Sequence, residues 1–201
     1  MVTLRAPSSL PATEPSPSIP PPELSWLLGS WNVTHSTLPM WKKSRNVQIK
    51  YTPVAGTSPL QIDDIVTYQS LSATKIKTVH GVDKPFEVPN TAPATTGGEA
   101  GGVQVSSMAY RWRGKGLLAV ASSKWEILGH GDEQGTGNSW VVTYFAKTLF
   151  TPAGVDLYSR KGNLTPETVE SIKAGLAGLG GDVAKLAGEL FEVKMDGDRK
   201  D

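Results

Sequence analysis

Two imidazoles and two phenols are the side chains of this sequence best suited to proton transfer: His35, His80, Tyr68 and Tyr144. A histidine titrates close to neutrality and can act as acid or base there. A tyrosine hydroxyl can hold a substrate oxygen beside it. His35 ends the stretch Trp31-Asn32-Val33-Thr34-His35, in which alternation along an unbroken strand sends Trp31, Val33 and His35 to one side. A bulge before His35, or a place at the rim, would instead leave the ring solvated. His80 shares a face with Ile76, Thr78 and Val82, against Lys75 and Lys77. His130, between glycines, reads as a surface group. Asp63 and Asp64 are neighbours on a strand and so point to opposite faces, one to solvent and one to a rim, where they cannot converge on one metal or substrate.

Other chemistries lack their residues. The chain has no cysteine, hence no disulfide, thiolate nucleophile or thiolate-bound metal. No Gly-x-Ser-x-Gly elbow or paired-histidine motif occurs, and Gly129-His130-Gly131-Asp132 lacks the Lys-Ser or Lys-Thr of a phosphate loop. No metal and no cofactor is expected. Twenty basic and 19 acidic residues, without a block of either sign, provide no stripe for a phosphate backbone, so nucleic acid is not an expected partner. No apolar run is long enough for a membrane span. The lack of cysteine, and an N-terminus with seven prolines in residues 1–22 but no apolar signal core, point to a cytoplasmic protein.

Residues 1–22 read as a disordered, proline-rich tail, with Pro17-Ser18-Ile19-Pro20 matching a loose PxxP ligand for a protein partner. Residues 23–195 hold the folded domain, and 196–201 a frayed tail. After a helical turn around Trp26-Leu27-Leu28, strands follow. Arg45 to Tyr51 alternates with a period of two, placing Val47, Ile49 and Tyr51 together. Further strands are expected over Ile62–Ser70, Lys75–Val82, Lys84–Val88, Val103–Arg113, Gly116–Leu128, Ser139–Phe150 and Val155–Arg160, with a mobile loop over Pro89–Gly102. Trp140, Val142 and Tyr144 share one face of their strand, and Trp125 ends another such face. Thr165-Pro166-Glu167 then opens a helix bearing Val169, Ile172 and Leu176, and Asp182 caps a shorter one.

Gly29-Ser30-Trp31 at the head of the first strand, the meander after it, a late arginine in Leu157-Tyr158-Ser159-Arg160 and a C-terminal helix together resemble the lipocalin-like, calycin superfamily. The resemblance implies an all-β fold: an antiparallel up-and-down barrel of eight to ten strands with an amphipathic C-terminal helix. It implies that Trp31 plugs one end and that Arg160 packs across it as a cation–π latch. Nitrobindin-like relatives hold haem through a histidine late in the barrel; no histidine follows His130 here, so haem by that mode is not expected.

A barrel is a container, and the expected function is to bind a hydrophobic or aromatic small molecule. Its wall would be Val33, Val47, Ile49, Tyr51, Ile76, Trp125, Trp140 and Val142. A second reading is a cofactor-independent isomerase, cyclase or dehydratase acting on a secondary-metabolite-like substrate, with His35 and His80 as acid or base and Tyr144 or Tyr68 as hydrogen-bond donors. A third is a protein-interaction module that works through the proline-rich tail.

Overall fold

A computed structural model of the chain describes residues 2–10, 17–89, 91 and 104–197. Helix α1 (Leu24–Leu27) leads into β1 (Gly29–Ser36), followed by β2 (Ser44–Val54), β3 (Gln61–Ser70), β4 (Ile76–Pro85), β5 (Ala109–Gly114), β6 (Ser122–Glu133), β7 (Asn138–Phe145) and β8 (Gly154–Ser159). Each strand pairs antiparallel with the next, and β1 pairs with both β8 and β2, closing an eight-stranded barrel. Lys84 belongs to β4 rather than to a strand of its own, and residues 116–118 form a 3-10 turn before β6. The expected loop over 89–102 lies almost wholly outside the described residues, as do 11–16 of the tail and 198–201 of the terminus.

Beyond the barrel come α2 (Pro166–Gly178), α3 (Gly181–Glu189) and β9 (Phe191–Glu192). Thr165 caps α2 by accepting the Thr168 amide, with proline at the first helical position. Strand β9 adds to the far half of β1, beside His35 and Ser36, and Lys194 bridges to Arg45. The C-terminal segment thus fills the splay where β1 and β2 cease to pair.

Two apolar cores result. One fills the barrel around Trp31, Val33, Ile49, Tyr51, Trp125 and Ile127. The other lies outside, where Val169, Ile172 and Leu176 of α2 and Val183 of α3 cover Leu128, Trp140, Val142, Tyr144, Val155 and Leu157. Strands β7 and β8 are therefore buried on both faces.

The N-terminal segment departs from the expected tail. Leu4 is buried in the outer core, in a slot that exists because residues 129 and 175 are glycines: a Cβ on Gly129 would stand 2.3 Å from the Leu4 side chain. Arg5 is fully buried, pairs with Glu126 at 2.7 Å and donates through Nε to the Ile127 carbonyl at 2.9 Å. Ser8 donates to the same carboxylate at 2.6 Å. Low hydrophobic content hid this strap, because its anchor is one leucine and one ion pair rather than an apolar run.

Candidate functional site

One end of the barrel is sealed by the residues around Gly29. Trp31 is fully buried, and its Nε1 donates to the Leu27 carbonyl at 2.8 Å. Arg160 lies across the indole, its guanidinium carbon 3.6 Å from the ring centroid. The same guanidinium donates to the carbonyls of Trp26, Ser30 and Leu28, tying α1 to the end of β8. Gly29 has φ +93°, and a Cβ there would stand 3.3 Å from Arg160 Nη1, so both backbone and latch call for glycine.

At the other end the 3-10 turn Pro39–Trp41 folds over the opening. Trp41 is buried, meets Tyr68 edge-on at 5.6 Å and donates through Nε1 to Asp156 Oδ2 at 3.3 Å. Ser36 donates to Asp156 Oδ1 at 2.5 Å. Burial outweighs these bonds and pushes the Asp156 carboxyl up to about 7.

Between the two ends the wall is aromatic. Trp125 stacks on Tyr110 at 4.8 Å and on Tyr51 at 5.8 Å between ring centroids. Trp112 covers Gly81, where a Cβ would stand 2.2 Å from the indole nitrogen. Two carboxyls are set into this wall. Asp64 on β3 and Asp83 on β4 are both buried, and Trp125 Nε1 donates to Asp83 Oδ1 at 2.8 Å. The two act on one another across the β3–β4 ladder, in which Asp64 pairs with Gly81 and Ile62 with Asp83. Burial raises Asp64 to about 7. Burial and then the neighbouring Asp64 hold the Asp83 carboxyl well above the usual carboxylate range. Burial likewise raises the hydroxyls of Tyr51 and Tyr158, keeping them neutral donors.

Asp64 Oδ1, Asp83 Oδ2 and the Tyr158 hydroxyl are buried, and the polar groups within their reach belong to the same wall: Asp64 and Asp83 bond one another, and Tyr158 bonds Thr143 and Tyr51. A cavity of about 260 Å³ opens at the α1 end of the barrel, lined by Leu24, Leu60, Ile62, Pro85, Ser107 and Tyr110 and not by the acids themselves. Ile62 and Pro85 are the inward residues next along their strands from Asp64 and Asp83. A larger cleft of about 760 Å³ lies outside the barrel, between residues 2–3, Pro20, His130 and the start of α2.

Of the residues assigned to the wall from sequence, Val33, Val47, Ile49, Tyr51 and Trp125 belong to the barrel core, and Tyr68 packs against it. Trp140, Val142 and Tyr144 do not: they lie on the outer face beneath α2 and α3. Alternation could not choose between two buried faces. Strand β4 is inverted relative to expectation, with Gly81 and Asp83 turned inward and Ile76 and His80 outward. The inward line carries the polar residue and the outward line the isoleucine, so apolar periodicity selected the wrong side. His80 is bound on the outer wall to Asp63 at 2.8 Å, with Lys115 reaching the same carboxylate at 2.5 Å. His35 also leaves the interior, because a bulge between Val33 and His35 resets the alternation and turns Ser36 inward. Its ring lies near Glu192 and Lys173, and burial lowers its pKa. Both histidines therefore lie outside the barrel interior.

The acid pair is what sequence reasoning missed. From sequence, Asp63 and Asp64 read as one solvent and one rim group, without a choice between them, and Asp83 has no role, yet Asp64 and Asp83 each interrupt an inward line, Ile62-x-Asp64-x-Val66 and Val79-x-Gly81-x-Asp83. That shared interruption is the signal in the sequence. Among the described residues no group of three or more His, Asp or Glu converges for a metal.

No protein-family model and no curated protein matches the chain. Solved structures do. Per a 4, a major allergen from cockroaches, superposes with a TM-score of 0.56 at 11% identity, covering 92% of this chain and 96% of that one. Apocrustacyanin C1 superposes at 0.53 with 14% identity, and lobster apocrustacyanin A1 at 0.51 with 13%, each over 84% of this chain and 77% of the other. At such identities the likeness concerns the fold alone. With its closed eight-stranded meander, Gly-x-Trp entry and C-terminal helix on the outer wall, the chain has a lipocalin-type calycin fold.

Proposed function

We propose that the chain binds a small molecule in its barrel, one with a flat, mainly apolar skeleton and at least one hydrogen-bonding group. The observation that carries this reading is a cluster of buried polar side chains, Asp64, Asp83, Tyr51 and Tyr158, set in an aromatic wall and bonded mainly to one another. A buried polar group short of partners costs about 1–3 kcal/mol, and a ligand that adds a partner to this cluster recovers part of that free energy. The stacked faces of Tyr51, Trp125 and Tyr110 suit a planar skeleton. The calycin fold supports a ligand inside the barrel as a matter of architecture.

The acid pair also favours a second reading. Burial pushes Asp83 well above the usual carboxylate range, toward the protonated form a general acid needs, and a substrate beside it could undergo cofactor-independent isomerisation, cyclisation or dehydration. The acid would be Asp83 with Asp64 as its partner, in place of the histidines.

Native mass spectrometry after incubation with a small-molecule extract, with chemical analysis of that extract, tests both readings. A retained, unaltered molecule whose affinity falls on Asp83→Asn and on Tyr158→Phe is the expected result. Conversion lost on Asp83→Asn favours the enzyme. Neither retention nor conversion in any extract fraction overturns the proposal.

A further inference from the structure

The strand directions gather four connections at the end of the barrel opposite α1: residues 37–43, 71–75, 115–121 and 146–153. Eight large hydrophobic side chains are exposed among the described residues, and seven of them lie in these four connections; Val105, at the other end, is the eighth. Met40 and Leu71 stand on the first two. Leu117 and Val120 project from the third, Val120 being 95% exposed. Leu149 and Phe150 form the tip of the fourth, 90% and 87% exposed. A folded chain gains nothing from these side chains where they are, and clustered apolar exposure of this kind marks an interaction surface.

Charge points to the partner. The four connections contain five lysines, Lys42, Lys43, Lys75, Lys115 and Lys147, and no Asp or Glu. The whole chain is nearly balanced, at 20 basic and 19 acidic residues, so this end stands apart from the rest. Lys115 is held by Asp63 at 2.5 Å, and the other four lysines are exposed. Glu192 of β9 and Asp196, which pairs with Arg45, also lie toward this end, but the connections at 115–121 and 146–153 carry no acid of their own. Apolar tips beside lysines match a bilayer interface, where the tips enter the headgroup boundary and the ammonium groups meet anionic headgroups. A second copy of the chain would set lysine against lysine, which opposes self-association through this end.

We propose that this end of the barrel docks on an anionic lipid surface, with the tips at 115–121 and 146–153 entering the interface. The docking is independent of what the barrel holds.

The test is co-sedimentation of the full chain with unilamellar vesicles of phosphatidylcholine alone, and with about 30% phosphatidylserine, at about 50 and 500 mM salt. Sedimentation with the anionic vesicles is expected, weakened roughly tenfold by the higher salt. The double variant Leu149→Ser/Phe150→Ser should lose roughly tenfold or more in partition. Its far-UV circular dichroism should be unchanged, since both side chains are exposed. Lys75→Glu/Lys147→Glu should bind phosphatidylserine vesicles no better than phosphatidylcholine ones. Phe150→Trp, read by a blue shift of the new indole on adding anionic vesicles, reports insertion directly. Absence of sedimentation, equal binding to both lipids or variants that bind like the parent would overturn the proposal. So would a dimer in vesicle-free solution that Leu149→Ser/Phe150→Ser dissolves, which would make this end a protein interface instead.

Discussion

Replacing Asp156 with asparagine is expected to stabilise the protein most above pH 7, less at pH 5 and little below pH 4. Asp156 is 1% exposed, and burial raises its carboxyl from 3.8 to about 7. The folded chain therefore keeps a proton that the unfolded chain has released. Between about pH 4 and 7 unfolding releases that proton, so stability falls as pH rises through the window, by about 4 kcal/mol in all at ~1.4 kcal/mol per pH decade. Asparagine carries no charge at any of these pH values. Its Oδ1 can accept from Trp41 Nε1 while its Nδ2 donates to Ser36 Oγ, so both partners of the carboxylate remain satisfied. Asp64 and Asp83 also titrate above their ordinary values, but they do so in both proteins and cancel in the difference. Urea unfolding of parent and variant at about pH 5 and pH 8 should show the difference moving about 2–4 kcal/mol in favour of the variant. A difference that does not move with pH would refute the assignment of a buried, charge-averse carboxyl at this position.

Gly81→Ala places a Cβ 2.2 Å from the Trp112 indole and should destabilise by about 1–3 kcal/mol, with much of the loss recovered in a Gly81→Ala/Trp112→Leu double variant; denaturation midpoints measure both. Arg160→Gln removes the stacking on Trp31 and the charged donors to three carbonyls, and should lower stability by about 2–3 kcal/mol, whereas an unchanged urea midpoint would show that the latch contributes nothing. Arg5→Met leaves Glu126 buried without its cation and should cost about 3–5 kcal/mol, while Arg5→Met/Glu126→Leu should recover most of it; parent-like proteolysis at the N-terminal segment in the single variant would count against a strap.

Where one face of a strand met solvent, the sequence was legible. In β2, Val47, Ile49 and Tyr51 alternate with Gln48, Lys50 and Thr52, and the buried and solvated faces separate cleanly. In β7 the same logic had nothing to work on. Val141 packs inward and Trp140, Val142 and Tyr144 pack outward under the helices, so the strand is apolar on both sides. The helices themselves were legible, including the Thr165 cap, but which strands they would cover was not. His35 turned on a single bulged residue, which no pattern in Trp31 to Ser36 announces. The acid pair was hidden for another reason: Asp64 and Asp83 meet only through the register that sets Ile62 opposite Asp83, and a carboxyl in the barrel contradicts the rule by which the wall was sought.

The two cores divide the work of the molecule. A barrel whose lumen holds Asp64, Asp83 and Asp156 gives up apolar burial, and each of these carboxyls must stay protonated or weaken the fold. The outer core offsets this. Helix α2 places Ile172 and Leu176 against β7 and β8, the Leu4 strap seals the margin, and none of these contacts touches the lumen. Stability drawn from the outside of the wall leaves its inside free to keep buried polar groups, the condition that the proposed binding site requires. That separation also explains why the hydrophobic signal in the sequence misled about β4 and β7: the strongest apolar faces of this barrel are not all on its inside.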